Sequence, residues 1–250
     1  MKKRLKKFLF VIEIAFFSFV FFFIVNGIIE NVDIDRKIRD FMNKGVCSEV
    51  IDQTTGKVVL CKVSRETYYP EAIHKTSIEV TNNSIYIGSV GDIFVRKTSP
   101  FNIPVFYEFV TYFIGGHANM ATSKKNTIIE IAATGKDDIV AELPNNWGRC
   151  QTPVIGLRVK DATLEDYQNA YLNAYNKIGE KYNYSFLFNT KNTHYCTDLI
   201  SKSWQEVDNK FNLNDGFATT INDLINSKNT YIFFYQYLDG NNVRYIYYLE

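Results

Sequence analysis

Between Phe8 and Ile29 the chain carries a single ionisable side chain, Glu13, in an otherwise apolar run. As a helix rising about 1.5 Å per residue, this run of about 22 residues is roughly 33 Å long, which matches the hydrocarbon layer of a bilayer. The cationic stretch Met1-Lys2-Lys3-Arg4-Leu5-Lys6-Lys7 precedes it, and Glu30, Asp33 and Asp35 follow. The positive-inside tendency then makes residues 1–7 a cytoplasmic basic tail and 8–29 a single transmembrane anchor, with everything after Ile29 outside the cytoplasm. A cleaved signal peptide is the competing reading, but the run is long for one and no small-x-small cleavage site follows. A carboxylate in mid-membrane costs about 2.5–3.5 kcal/mol, yet Glu13 lies near enough to Lys7 to snorkel or protonate; the alternative is a contact with a partner helix.

The rest of the chain has a globular composition. A formal charge of +1 gives no reason to expect nucleic acid as a partner. Four cysteines in 250 residues do not make a disulfide scaffold. Residues 30–45 are charged and read as a juxtamembrane spacer with a short helical stretch. Cys47–Cys61 reads as a hairpin turning at Thr54-Thr55-Gly56-Lys57, and 30–76 thus forms spacer plus hairpin ahead of the main domain at 77–250. The hairpin's ends lie side by side, so a Cys47–Cys61 disulfide is geometrically reasonable outside the cytoplasm; two separate buried thiols are the alternative.

From Ser77 on, the pattern is that of a compact α+β domain, with helices packed on a mostly antiparallel sheet. Ile78–Val80 and Ser84–Val95 read as strands, the latter broken by Gly88 and Gly91. A helix is expected from Pro104 through Phe106, Phe109, Val110 and Phe113, stopped by Gly115-Gly116. Strands follow at His117–Ser123, Thr127–Ala133 and Val154–Val159. Thr163 and Asp166 form a capping box for a helix whose expected buried stripe is Leu164, Tyr167, Tyr171, Ala174 and Ile178. A further amphipathic helix runs from Cys196 to about Lys210, with Leu199, Ile200, Trp204 and Val207 inward. The chain ends in an aromatic hairpin, Tyr231–Leu238 and Val243–Leu249, turning at Asp239-Gly240-Asn241.

Three residues far apart in this order carry the chemistry. Cys196 stands where its helix begins, so the macrodipole and unpaired backbone N–H groups favour thiolate over thiol. A thiol nucleophile also needs an imidazole in reach and a polar group that orients it. His117 and Glu130 lie on consecutive strands, where antiparallel pairing can put both on one face. His194 is a rival base two residues before the thiol, although local geometry usually points such neighbours apart. His74 and Cys150 read as structural. No Cys-x-x-Cys or His-x-x-x-His spacing favours zinc, so neither metal nor cofactor is expected.

The series Gly91-Asp92-Ile93-Phe94-Val95, Gly116-His117-Ala118-Asn119-Met120, Ile129-Glu130-Ile131-Ala132, Lys181-Tyr182-Asn183-Tyr184 and Tyr195-Cys196-Thr197-Asp198-Leu199 resembles the circularly permuted NlpC/P60 papain-like cysteine hydrolases of the YaeF/YiiX type. In that family the histidine strand precedes the cysteine, the reverse of the ordinary papain order. The likeness covers about residues 85–210. It implies a permuted papain-like fold with Cys196 as nucleophile, His117 as base and then acid, and Glu130 as orienting group. Tyr182 would line the site or donate to the oxyanion. Gly116 replaces the family's usual serine and Asn183 its aspartate, while Thr197-Asp198 stands for Ser-Glu. The expectation is a membrane-anchored hydrolase cleaving an amide or related acyl bond in a cell-wall-type peptide or an acylated lipid. The alternative is a papain-like shell without activity, serving as a membrane-tethered binding or assembly module.

Overall fold

The structure, a computed structural model, describes residues 2–53, 56–73, 75–81, 85–97, 115–133, 138–186, 190–214, 216 and 218–250. It is a mixed α+β architecture built on a nine-stranded sheet. In spatial order the strands are β1 (Gly45–Gln53), β2 (Gly56–Val63), β13 (Val243–Leu249), β12 (Thr230–Leu238), β9 (Val154–Val159), β5 (Ile93–Arg96), β6 (His117–Ala121), β7 (Thr127–Glu130) and β8 (Ala141–Pro144). Within this sheet only β2 and β13 run parallel. Two small pairs stand apart: β3 (Ile78–Val80) with β4 (Ile85–Ile87), and β10 (Lys181–Tyr182) with β11 (Thr193–His194). The helices are α1 (Lys2–Asn43), α2 (Arg65–Tyr68), α3 (Leu164–Tyr175), α4 (Cys196–Gln205) and α5 (Ile221–Asn226).

The apolar run and the charged residues after it form one unbroken helix, α1, long and apolar enough to cross a membrane. The spacer expected at 30–45 is therefore mostly its last turns. The cause lies in packing: Gly27, Asn31, Ile34 and Phe41 recur at helical spacing and are buried, so contact with the domain carries the helix onward. Glu30 accepts from the Asn222 amide at 3.1 Å through its carboxylate and from the Asn226 amide at 3.0 Å through its carbonyl. Lys37 donates to the carbonyl of Ile225 at 3.1 Å. α5 is thus the seat on which α1 rests.

The β1–β2 hairpin is hydrogen-bonded to β13, so it extends the main sheet instead of standing ahead of it. Cys47 lies opposite Cys61 across the hairpin, and the two are joined as a disulfide. The expected strand at Ser84–Val95 is split into β4 and β5, because Gly88 and Gly91 turn the chain with φ of +97° and +79°. At Gly91 a Cβ would also meet the Tyr167 carbonyl at 2.6 Å, so this turn packs directly on α3.

Thr163 and Asp166 cap α3 reciprocally. Its buried face is Tyr167, Ala170, Tyr171 and Ala174. Leu164 and Ile178 differ from expectation, at 61% and 41% exposed: Leu164 opens the first turn on the outer side, and Ile178 comes after the helix has ended. α4 buries Leu199, Ile200 and Trp204 and stops at Gln205, short of Lys210, because Asp208 accepts from the Lys210 N–H and caps a separate 3-10 turn. Tyr167 meets Trp204 edge-on at 4.8 Å, which locks α3 to α4. The C-terminal hairpin closes with Tyr237 stacked on Tyr245 at 5.2 Å. The helix expected through Phe106–Phe113 and the residue His74 lie outside the described residues.

Asp92, in the Gly-Asp-Ile strand opening, is fully buried with Arg158 of β9. Two hydrogen bonds join them, Nε to Oδ1 at 2.8 Å and Nη2 to Oδ2 at 3.0 Å. The guanidinium lies 4.2 Å from the Phe233 ring centre. The pair ties β5, β9 and β12 together beneath the site.

Candidate active site

β6 and β7 are antiparallel neighbours, with Met120 opposite Ile129 and Ala121 opposite Ile128. Continued one step, this register sets Glu130 beside Asn119 and makes His117 its diagonal neighbour on the same face. The His117 Nε2 lies 3.1 Å from Glu130 Oε2, with the side chains 13% and 16% exposed. That leaves Nδ1 as the ring nitrogen not engaged by Glu130, and the ring lies close enough to Cys196 for each group to shift the other's pKa. The structure therefore brings Cys196, His117 and Glu130 together from α4, β6 and β7.

Cys196 is the first residue of α4 and is 8% exposed. Its Sγ lies 3.9 Å from the carbonyl of Gly116. Burial is the largest single influence on this thiol and opposes ionisation. It is outweighed by the His117 hydrogen bond, the imidazolium charge, and the backbone N–H groups of Ala118 and Thr197, so the thiol pKa is lowered. For His117, too, burial is the largest influence and disfavours the cation. Hydrogen bonds and charge from Cys196 and Glu130 prevail, and its pKa is pushed up to about 9. Both shifts favour a thiolate–imidazolium pair at neutral pH.

Close packing keeps the sulfur end of this arrangement in place. Gly116 sits under Ile221 of α5, where a Cβ would come within 2.2 Å of Ile221 Cγ1. The Thr219 N–H donates to the Tyr195 hydroxyl at 2.8 Å, and the Thr197 hydroxyl donates to the Thr219 carbonyl at 2.6 Å. The segment leading into α5 thus clamps the first turn of α4.

Tyr182 ends β10, paired with His194, and its phenol pKa is raised by burial and by the nearby Cys196 charge. It begins an aromatic wall in which Tyr184 and Phe186 lie 4.8 and 6.0 Å from its ring, with Tyr195 beyond Phe186 at 5.5 Å. His194 is otherwise engaged: Nε2 pairs with Glu180 at 2.7 Å and Nδ1 with Asp198 at 3.3 Å. With both ring nitrogens held by carboxylates, it has none left for the thiol. Cys150 accepts from Arg96 Nη1 at 3.3 Å.

Trp147 is the site neighbour that sequence reasoning missed. It sits in a 3-10 turn, Trp147–Arg149, with its ring 5.6 Å from the imidazole of His117 and the Arg96 guanidinium 4.8 Å from its centre. The Asn145-Asn146-Trp147-Gly148 turn signal marks the bend, but nothing local tells that the ring lands on His117. Two open clefts of about 360 and 430 Å³ lie away from the sulfur. Among the described residues no group of three or more His, Cys, Asp or Glu side chains converges as metal ligands would.

Comparison of the chain with known protein families, with curated proteins and with solved structures finds no match.

Proposed function

We propose that this chain is a membrane-anchored cysteine hydrolase with a permuted papain-like fold of the NlpC/P60 kind. The observation that carries the reading is the meeting of Cys196, at the start of α4, with a His117 ring held on its other side by Glu130. The Cys196 thiolate attacks the carbonyl carbon of an amide or ester, and the C–S bond forms as the carbonyl π electrons move to oxygen. The Cys196 N–H and the Tyr182 hydroxyl are the oxyanion donors. The His117 imidazolium gives its proton to the leaving nitrogen or oxygen as that bond breaks, leaving a thioester on Cys196. Neutral His117 then takes a proton from water, which attacks the thioester and returns the thiol. Glu130 keeps Nε2 oriented and offsets the imidazolium charge. The basic flank before the apolar helix and the Cys47–Cys61 disulfide both favour a domain outside the cytoplasm.

The test is alkylation of the full-length protein by iodoacetamide at pH 6 in a Cys150→Ser background, where Cys196 is the one free thiol. A free thiol of pKa about 8.5 is well under 1% thiolate at that pH, whereas the lowered pKa of Cys196 beside His117 gives it a larger thiolate fraction. Reaction at least about 10-fold faster than free cysteine, abolished by Cys196→Ala and slowed by His117→Gln, is the expected result. A rate equal to free cysteine's would identify a binding module instead.

A further inference from the structure

We infer that the cleft of about 360 Å³ bounded by Lys57, Arg149 and Arg244 binds the phosphate headgroup of an anionic membrane lipid. Gln151, Asn242, Leu238, Gly56, Val58 and Ile85 complete its wall, and no acidic residue lines it among the described residues. Lys57 and Arg149 are exposed; Asp52 stands opposite Lys57 in the β1–β2 register, and Arg149 makes no ion pair among the described residues. Arg244 is fixed by donation from Nη1 to the Cys150 carbonyl at 2.6 Å and to Gln236 Oε1 at 3.1 Å. Its pKa is lowered, chiefly by burial and further by the Arg149 cation, against a raising influence from Cys150. An anion with several acceptor oxygens completes such a set; a neutral ligand does not.

The occupant follows from where the cleft lies. α1 runs antiparallel to β12: Asp40 lies near Tyr68, which reaches the Ile232 backbone; Asp35 lies near Tyr235; and Asn31 meets Lys97, one residue past β5. The register sets Ile155 opposite both Tyr235 and Val95, and Arg96 opposite His117, so His117 lies level with Gln236. This is the end of the sheet towards which α1 heads on its way to the bilayer. The β12–β13 turn and Lys57, opposite Val243, lie at that same end. With the apolar run ending at Ile29, two residues before Asn31, the headgroup layer begins at the level of the cleft.

The cleft occupies the sheet face opposite α1, since Tyr235 faces the helix and Gln236 reaches the Trp147 carbonyl at 3.0 Å. Arg149 closes the same 3-10 turn whose Trp147 packs on His117. A lipid held by the cleft therefore lies beside the turn that carries Trp147, the ring packed against His117. This inference concerns the cleft alone: its failure leaves the Cys196 chemistry standing, and its success favours an acylated lipid over a peptide as substrate.

The experiment is native mass spectrometry of the full chain released from dodecyl maltoside micelles doped with phosphatidylglycerol or phosphatidylcholine. The basic flank at residues 2–7 can bind the same lipid from the far end of α1, so the informative quantity is what the double variant Lys57→Gln/Arg149→Gln loses. Each removed charge near a phosphate is expected to weaken phosphatidylglycerol binding about 5-fold, about 25-fold together, with phosphatidylcholine unchanged. Should the double variant fold poorly, acetylation of Lys57 in the native chain reads the same contact; phosphatidylglycerol should slow it at least about 5-fold and phosphatidylcholine should not. Equal lipid binding by native chain and double variant overturns the assignment. So does protection of Lys57 by inorganic phosphate but not by phosphatidylglycerol, which would make this a site for free phosphate.

Discussion

Replacing Glu130 by Gln isolates the electrostatic part of the site at nearly constant shape. In the native chain two anionic neighbours, Cys196 and Glu130, hold the imidazole of His117 up to about 9 against burial. The Glu130 contact is 3.1 Å long and lies between side chains that are 13% and 16% exposed, so solvent screens it little. An opposite charge at such range moves a pKa by about one to three pH units, and Glu130 shares the work with Cys196. Glu130→Gln should therefore remove about one to two pH units and leave His117 titrating at about 7–8. At 1.36 kcal/mol per pH unit this is about 1.5–3 kcal/mol of differential interaction.

The sign of the stability effect follows. A histidine whose pKa is raised from 6.5 to about 9 on folding contributes stability that is complete below 6.5 and is lost as pH rises through about 9. The variant should thus melt below the native chain at pH 6 and converge with it above about pH 9. The direct assay is NMR of full-length protein labelled at histidine Cε1 with carbon-13, where only three histidines contribute. The His117 signal is assigned by its absence in His117→Gln. A native midpoint near 6.5, or one that Glu130→Gln does not move, would refute the proposed triad, because Glu130 would then not be coupled to the imidazole.

Two further substitutions probe the scaffold. Gly116→Ala places a methyl group 2.2 Å from Ile221 Cγ1, so it should cost about 1–3 kcal/mol in thermal unfolding and slow Cys196 alkylation; Ile221→Ala in the same chain should recover the alkylation rate but not the melting temperature, because Ile221 is itself buried and its truncation leaves a cavity. Asp92→Ala removes the carboxylate that neutralises buried Arg158, and the expected loss of about 3–5 kcal/mol appears as a melting temperature lower by on the order of 10 °C.

Much of this arrangement is legible in the chain because the relevant signals are local. The Thr163–Asp166 capping box, the 3.6-residue stripe from Leu199 to Trp204, and the Asp239-Gly240-Asn241 turn each fix one element without help from the rest. Other elements are silent for physical reasons. β8 (Ala-Glu-Leu-Pro) has no apolar alternation because it is an edge strand, where a proline breaks no ladder and Glu142 can pair with Lys124 at 2.6 Å. α5 has a capping box of its own, Thr220 with Asp223, but its six residues offer too short a period to read. Trp147 and the Asp92–Arg158 pair depend on contacts between residues 30 to 66 positions apart, which no local pattern encodes.

Where the chain differs from the motif it resembles, the same kind of non-local contact is at work. A serine before His117 would carry a Cβ, and at Gly116 that space is already filled by Ile221. Ile221 belongs to α5, and α5 is hydrogen-bonded through Asn222 and Asn226 to Glu30 of α1. Glycine at this position is thus coupled to the docking of the long helix: the side chain that excludes a Cβ beside Cys196 sits on the element against which α1 rests. Asn183 in place of aspartate alters less, since its Oδ1 accepts from the Ser185 N–H at 3.0 Å and from the Ser185 hydroxyl at 2.6 Å, as a carboxylate oxygen would. Glycine at 116 therefore marks where this chain fastens its thiol-bearing helix to α5 and, through it, to α1, whereas asparagine at 183 preserves a turn.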